Sequence, residues 1–199
     1  MSLKTKVKVG NITNLSDARY CAGMGVDMLG FRISEPNGQI SLVKFKEITD
    51  WISGPEFIAE LSESPSDQWQ EIPGINLIEI PVSKISGLNS GKPRQATIVS
   101  LGFHEWQVCK DALLKHKASI KYLLVNNFSG ITNNQAKIIV TEMSTIFPVL
   151  LGGEMKVELL DEYLNWPIEG LALNGSEETS PGIKDYDHLS SILEKLEVD

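Results

Sequence analysis

The sequence predicts an α/β chain folded as a single (β/α)8 TIM barrel spanning residues 1–199. Three observations predict it. Short β-rich runs alternate with longer segments whose apolar residues recur near helical spacing, the pattern of parallel strands joined by helical crossovers. The β-rich runs number eight, the count of a closed barrel at the short end of its size range. The 199 residues are 42% hydrophobic, enough for one sizeable core, and no linker, low-complexity tract or internal repeat divides them. An open doubly wound sheet is the runner-up.

The elements follow in order. A first strand is expected over Lys6–Ile12, then a helix over Leu15–Met24 opened by Asn14, with Asp17 three residues on as its capping partner. The second strand, Asp27–Phe31, leads to a helix over Leu42–Ile52 with Val43, Phe45, Ile48 and Trp51 near helical spacing. The third strand is Glu56–Leu61. The polar stretch Ser62–Pro73, with Pro65 and Pro73, predicts a short, poor helix or none. After a fourth strand at Ile75–Ile80, the residues Gly87, Gly91 and Pro93 predict a loop or a stub of helix, so the ring is weak around residues 62–93. The remaining strands are Ala96–Leu101, Ile120–Asn126, Val149–Leu151 and Gly170–Leu173. Helices are expected over Glu105–Lys117, Asn134–Ser144, Glu154–Leu164 and Tyr186–Leu196.

Composition excludes several classes of partner. Acidic residues outnumber basic ones, 26 to 18, for a net charge of −8, which argues against nucleic acid and anionic membranes. No apolar run approaches the ~18 residues of a membrane span, and Lys4, Lys6 and Lys8 lead into strand-like alternation, not an apolar leader. Cys21 and Cys109 fall in helical segments without disulfide or CxxC spacing, so a reducing, cytoplasmic setting is expected. His104, His116 and His188 lie in helices or at their starts and lack metal-ligand spacing. Trp51, Trp106 and Trp166 read as helix faces packing on the barrel, and Trp69 as half exposed; none is interleaved with a basic run.

Four segments carry a resemblance. Lys6-Val7-Lys8-Val9-Gly10-Asn11-Ile12-Thr13 with Asp17-Ala18 resembles the first strand and helix of phosphoribosylanthranilate isomerases. Gly25–Phe31 is similar to that family's second strand, and Pro148–Gly153 to its seventh. Ser180–Asp185, preceded by Glu178, resembles the segment after its eighth. The match runs over nearly the whole chain, best at the two ends and worst over 62–93. The resemblance implies a barrel whose active site lies at the C-terminal ends of the strands, with phosphate near strands seven and eight. It implies an Amadori aldose–ketose isomerisation of N-(5-phosphoribosyl)anthranilate in tryptophan biosynthesis, run by a cysteine base after strand one and an aspartic acid after strand six. It implies no cofactor and no metal, and a monomer or a homodimer.

The chain departs from that pattern where the chemistry resides. The family's base position falls on Gly10, and the glycine after it becomes Asn11. The family's acid position falls on Val125, or on Asn126 with a one-residue shift. The arginine that the resemblance assigns to the anthranilate carboxylate falls on Gly38, and an aspartate of strand eight falls on Ala172. The family reaction is therefore expected to be slow or absent, since losing one positioned acid or base costs about 10²–10⁴ in rate.

The phosphate end survives better. Gly152-Gly153 after strand seven and Asn174-Gly175-Ser176 after strand eight read either as a phosphate site offering backbone N–H groups or as tight βα turns. Glu177 and Glu178 add opposing charge. Lys8 shares the inward face of strand one with Gly10, and Glu79, where the resemblance implies a glutamine, shares that of strand four; an ion pair between them is expected. Three functions remain open on this reading: an isomerase with displaced residues, a non-catalytic relative binding a phosphorylated small molecule through the loops after strands seven and eight, and a structural protein with a filled mouth.

Overall fold

Eight parallel strands, each hydrogen-bonded to its neighbours in sequence order, close on themselves as β1 pairs with both β2 and β8. The computed structural model describes residues 2–33, 40–61, 72–88, 96–126, 130–175, 178–180, 183–184 and 187–198. The strands are β1 Lys6–Gly10, β2 Met28–Phe31, β3 Glu56–Glu60, β4 Leu77–Pro81, β5 Ala96–Gly102, β6 Ile120–Asn126, β7 Val149–Leu151 and β8 Gly170–Asn174. Helices are described in most of the connections and the sheet closes on itself, so the chain is a TIM barrel of one domain, and the doubly wound alternative is set aside.

The helices α1 Leu15–Gly23, α2 Leu42–Thr49, α3 Trp106–Lys115, α4 Asn133–Ser144 and α6 Asp187–Leu196 lie where the periodicity predicts them, within three residues at each end. Their starts are chemically marked. Asn14 Oδ1 accepts from the Asp17 N–H at 2.9 Å, and Thr132 with Gln135 forms a reciprocal capping box. Helix α5 is shorter than predicted, Leu160–Tyr163 after a 3-10 turn at Val157–Leu159, and no side chain caps its start. The described part of the fourth connection is a 3-10 turn, Val82–Gly87, the expected stub of helix. One element was not foreseen: β9 Glu178–Ser180 pairs antiparallel with β10 Ile183–Lys184. Residues 62–71 and Trp69 within them lie outside the described residues, as do Gly38, Ser176 and Glu177.

The two faces of each strand divide the core. Outward residues such as Val7, Val9, Leu29, Phe31, Leu123 and Leu171 are fully buried beneath the helices. Inward residues including Met28, Ile58, Leu77, Ile98, Leu124 and Leu150 form a separate cluster that fills the barrel. This alternation corrects one expectation. Val125 belongs to the outer cluster and is fully buried there, whereas Asn126 shares the inward parity of Tyr122 and Leu124. Trp51 is a second correction. Helix α2 ends at Thr49, and Trp51 beyond it is 70% exposed, with the Arg19 guanidinium 5.8 Å from its ring centre. Trp106 and Trp166 are buried as expected. Cys21 is buried and Cys109 half-buried, both unbridged.

Candidate functional site at the barrel mouth

Inward residues of β1, β3 and β4 converge on one buried cation. Lys8 lies on the inward face of β1 with its side chain 3% exposed, and an ammonium so enclosed needs anionic partners. It has two. Its Nζ donates to Glu60 Oε1 at 2.6 Å and lies 2.7 Å from Glu79 Oε2. The pair expected between Lys8 and Glu79 is present, but Glu60 is the partner that sequence reasoning missed. The signal was available: Glu60 ends β3 on the parity of the inward Ile58, and a buried lysine facing two strands that each carry a glutamate calls for both.

Glu60 and Glu79 are direct register partners on adjacent strands. Two like charges so placed repel, and a cation between them resolves the conflict. The resolution is unequal. Glu60 also accepts from the Asn11 N–H at 3.2 Å and has the Arg32 guanidinium at 3.9 Å. Glu79 Oε2 makes no aligned hydrogen bond, only the ion-pair contact with Lys8. Burial works to raise the Glu60 pKa, but the charge and hydrogen bond of Lys8, the Asn11 N–H and Arg32 outweigh it and hold the carboxyl below its ordinary value. Burial likewise pushes Glu79 up; Lys8 pulls it down, the negative Glu60 pushes it up again, and the balance lies above the ordinary value. Burial also opposes the charge on Lys8, yet attraction to both carboxylates raises its pKa, so it is an ammonium throughout the neutral range.

Two glycines make room for this arrangement. A Cβ on Gly10 would overlap Glu60 Oε1 and stand 3.1 Å from Lys8 Nζ and 3.3 Å from Asn174 Oδ1. A Cβ on Gly30 would overlap the same carboxylate oxygen and meet the Gly10 Cα at 3.1 Å. The Glu60 carboxylate thus stands in the volume that a side chain at position 10 would fill. Next to it, Asn11 takes a left-handed backbone, φ 60°, uncommon outside glycine. It is 8% exposed, and its Oδ1 has no hydrogen-bond partner among the described residues.

The residues read as a phosphate site divide. Gly152 donates its N–H to Val125 O and Gly175 donates to Gly10 O, each at 2.8 Å, so neither amide is open to an anion. Both glycines instead serve close packing: a Cβ on Gly175 would meet the backbone oxygens of Gly10 and Asn11 at 3.1 and 3.2 Å. Gly153, exposed and at φ 104°, makes no backbone hydrogen bond among the described residues and is the amide still open at the end of β7. Asn174 ends β8, exposed on the mouth, and Ser176 lies outside the described residues. Asn126 ends β6, half-buried and paired in register with Gly102. His104 and His188 are exposed and His116 half-buried; His104 lies two residues past the end of β5 with its ring against Gly102, His188 is in the first turn of α6, and His116 follows the C-terminus of α3. Among the described residues no group of three or more histidine, cysteine, aspartate or glutamate side chains is placed to hold a metal ion, and no helix is long and apolar enough to cross a membrane.

No protein-family model matches the chain, and no curated protein matches it in sequence. Solved structures do match in fold. A phosphoribosyl anthranilate isomerase in complex with reduced 1-(o-carboxyphenylamino)-1-deoxyribulose 5-phosphate superposes with a TM-score of 0.73 at 16% identity, covering 96% of this chain and 98% of that one. The phosphoribosyl anthranilate isomerase of Thermus thermophilus gives 0.72 at 18% identity over the same shares. KGPDC from Streptococcus mutans, in a ligand complex, gives 0.69 at 13% identity, over 96% of this chain and 95% of that one.

Proposed function

We propose that this barrel is a divergent relative of the phosphoribosylanthranilate isomerases that binds a phosphorylated small molecule at its mouth and performs the Amadori rearrangement slowly or not at all. One observation carries the reading. The inward C-terminal ends of β1 and β6, where the resemblance implies a base and an acid, hold Gly10 and Asn126. Neither side chain titrates, and a positioned acid or base is worth about 10²–10⁴ in rate. The volume at Gly10 is taken by a carboxylate already bound to Lys8, so a cysteine-type base there requires the Glu60 side chain to give way.

Retained binding is supported by the other half of the mouth. One of the similar isomerase structures holds a deoxyribulose 5-phosphate derivative. The open Gly153 amide, the exposed Asn174 and the loops after β7 and β8 lie where TIM barrels commonly hold phosphate. Lys8 and Arg32 bring positive charge to the β1–β3 side of the mouth, where both meet Glu60.

The test is a paired assay on the intact protein. Turnover of N-(5-phosphoribosyl)anthranilate is followed by loss of its fluorescence, and binding of ribose 5-phosphate by broadening of its ³¹P resonance. The expected result is negligible turnover with saturable broadening. Turnover at the rate of an ordinary isomerase refutes the lost-chemistry half, and an unperturbed ³¹P line at millimolar probe refutes the binding half.

A further inference from the structure

We propose that Glu60, Lys8 and Glu79 form a relocated proton-transfer centre, whose substrate is a phosphorylated α-hydroxycarbonyl compound carrying no anthranilate group. The inference rests on the phosphate-binding reading above and adds a reaction to it.

Position is the first argument. Glu60 ends β3, on the face of a TIM barrel where reactions occur, and Lys8 and Glu79, each the middle residue of its strand, meet that carboxylate from the barrel interior. Glu60 Oε1 stands where a Cβ of residue 10 would be, so a carboxylate reaching across from β3 fills the place a β1 side chain would have taken. Asymmetry is the second. An ion pair kept only for packing needs one acid per base, and apolar residues of similar volume are often as stable. Here two register-paired acids share one ammonium, and their surroundings differ: Glu60 is held by Lys8, the Asn11 N–H and Arg32 at 3.9 Å, Glu79 by Lys8 and only the weaker charge of Arg32. Two titratable groups whose environments drive their proton affinities apart are the mark of an acid and a base. The third argument names the ligand. Asn11, more than nine-tenths buried beside Glu60, has an unused Oδ1, and Asn174 Oδ1 faces the same Gly10 volume. The buried Asn11 oxygen, without a donor among the described residues, suits a hydroxyl-bearing ligand, and the absence of an arginine at Gly38 removes the residue that the resemblance assigns to an aryl carboxylate.

The step balances without a co-reactant. Glu60 takes the proton from the carbon beside the carbonyl, and that C–H electron pair becomes the enediol double bond. The carbonyl π electrons move to oxygen, where the Lys8 ammonium lies closest and the Glu79 carboxyl gives its proton. For return, Glu79 takes the proton from the other hydroxyl and Glu60 restores its own to the adjacent carbon. The net change is a 1,2-shift of hydrogen, and both acids end as they began. Lys8 stays charged throughout and acts by electrostatics.

The experiment measures solvent exchange. Ribose 5-phosphate and ribulose 5-phosphate are incubated with the protein in D₂O, loss of the proton beside the carbonyl is followed by ¹H NMR, and binding is followed by ³¹P line width in the same tube. We expect exchange above the buffer rate, reduced about 10²–10⁴-fold by Glu60→Gln with the ³¹P broadening retained. Glu79→Gln is expected to slow exchange while leaving binding intact. If Glu60→Gln fails to fold, the pH profile of the unaltered protein decides. Glu60 faces Lys8, Arg32 and Glu79, and exchange must fall as acid protonates it. Bound probe without exchange, exchange undiminished in a folded Glu60→Gln protein, or a profile without an acid limb overturns this proposal alone. Failure of either probe to bind overturns the reading beneath it.

Discussion

Replacing Lys8 by methionine removes the cation from between two register-paired carboxylates while keeping most of its volume. Lys8 is 3% exposed and the Glu60 and Glu79 side chains 12% and 15%, so water cannot take over its role. Breaking a buried pair by removing one partner costs about 3–5 kcal/mol at neutral pH, since the remaining charge is left unpaired. At about 2–4 °C per kcal/mol for a chain of this size, the melting temperature should fall by about 6–20 °C. The cost must depend on pH in a definite direction. In the unaltered protein the lowered Glu60 contributes stability above its unfolded value of about 4.3, lost as pH falls through its folded value. Without Lys8 burial dominates and Glu60 joins Glu79 in favouring the protonated form. Stability of the variant then declines as pH rises from about 4.3 toward neutrality. Urea denaturation at about pH 5 and about pH 7.5 should therefore give a small difference at the first and the full difference at the second. A loss of equal size at both, or one below about 1 kcal/mol at the higher pH, would refute the reasoning that Lys8 is held there to neutralise two acids.

Two further perturbations probe the surroundings. Gly30→Ala should cost about 1–3 kcal/mol by overpacking against the Glu60 carboxylate, and most of that cost should vanish in a Glu60→Ser background; a cycle with no coupling between the two sites contradicts the overlap. Val125→Asp should cost about 3–5 kcal/mol in a urea melt and give no isomerase activity, since it places an unpaired carboxylate in the layer beneath the helices. A stable Val125→Asp protein would mean that the residue faces the mouth after all.

How far the sequence foretold this depends on the kind of constraint involved. Strands such as Ile120–Asn126 and Val149–Leu151 were legible to the residue, because an apolar run between polar caps has one sensible reading. The parity of Lys8 and Glu79 was legible for the same reason, since alternate residues share a face. Glu60 was not read as a partner because its role depends on how far β3 stands from β1 around the barrel, and that separation belongs to the closed sheet. The glycine amides meet a related limit. Gly152 and Gly175 read in sequence either as an anion site or as tight turns, and their N–H groups are committed to Val125 and Gly10 across strands. Whether Val125 or Asn126 meets the mouth likewise turned on one residue of register, which slips unnoticed in a sequence and flips the face in a sheet.

The overlap of Glu60 with the space above Gly10 and Gly30 makes the mouth history-dependent. A cysteine cannot enter at position 10 while the carboxylate stands there. The carboxylate cannot leave first without stripping Lys8 of its hydrogen-bonded partner and leaving Glu79 as its sole counterion. Each single step back toward a β1 base therefore crosses a less stable intermediate, and only a paired change avoids it. A library that varies positions 10, 30 and 60 together will reach folded sequences that one-at-a-time mutagenesis passes over, and the residues now at the mouth are held by that interlock.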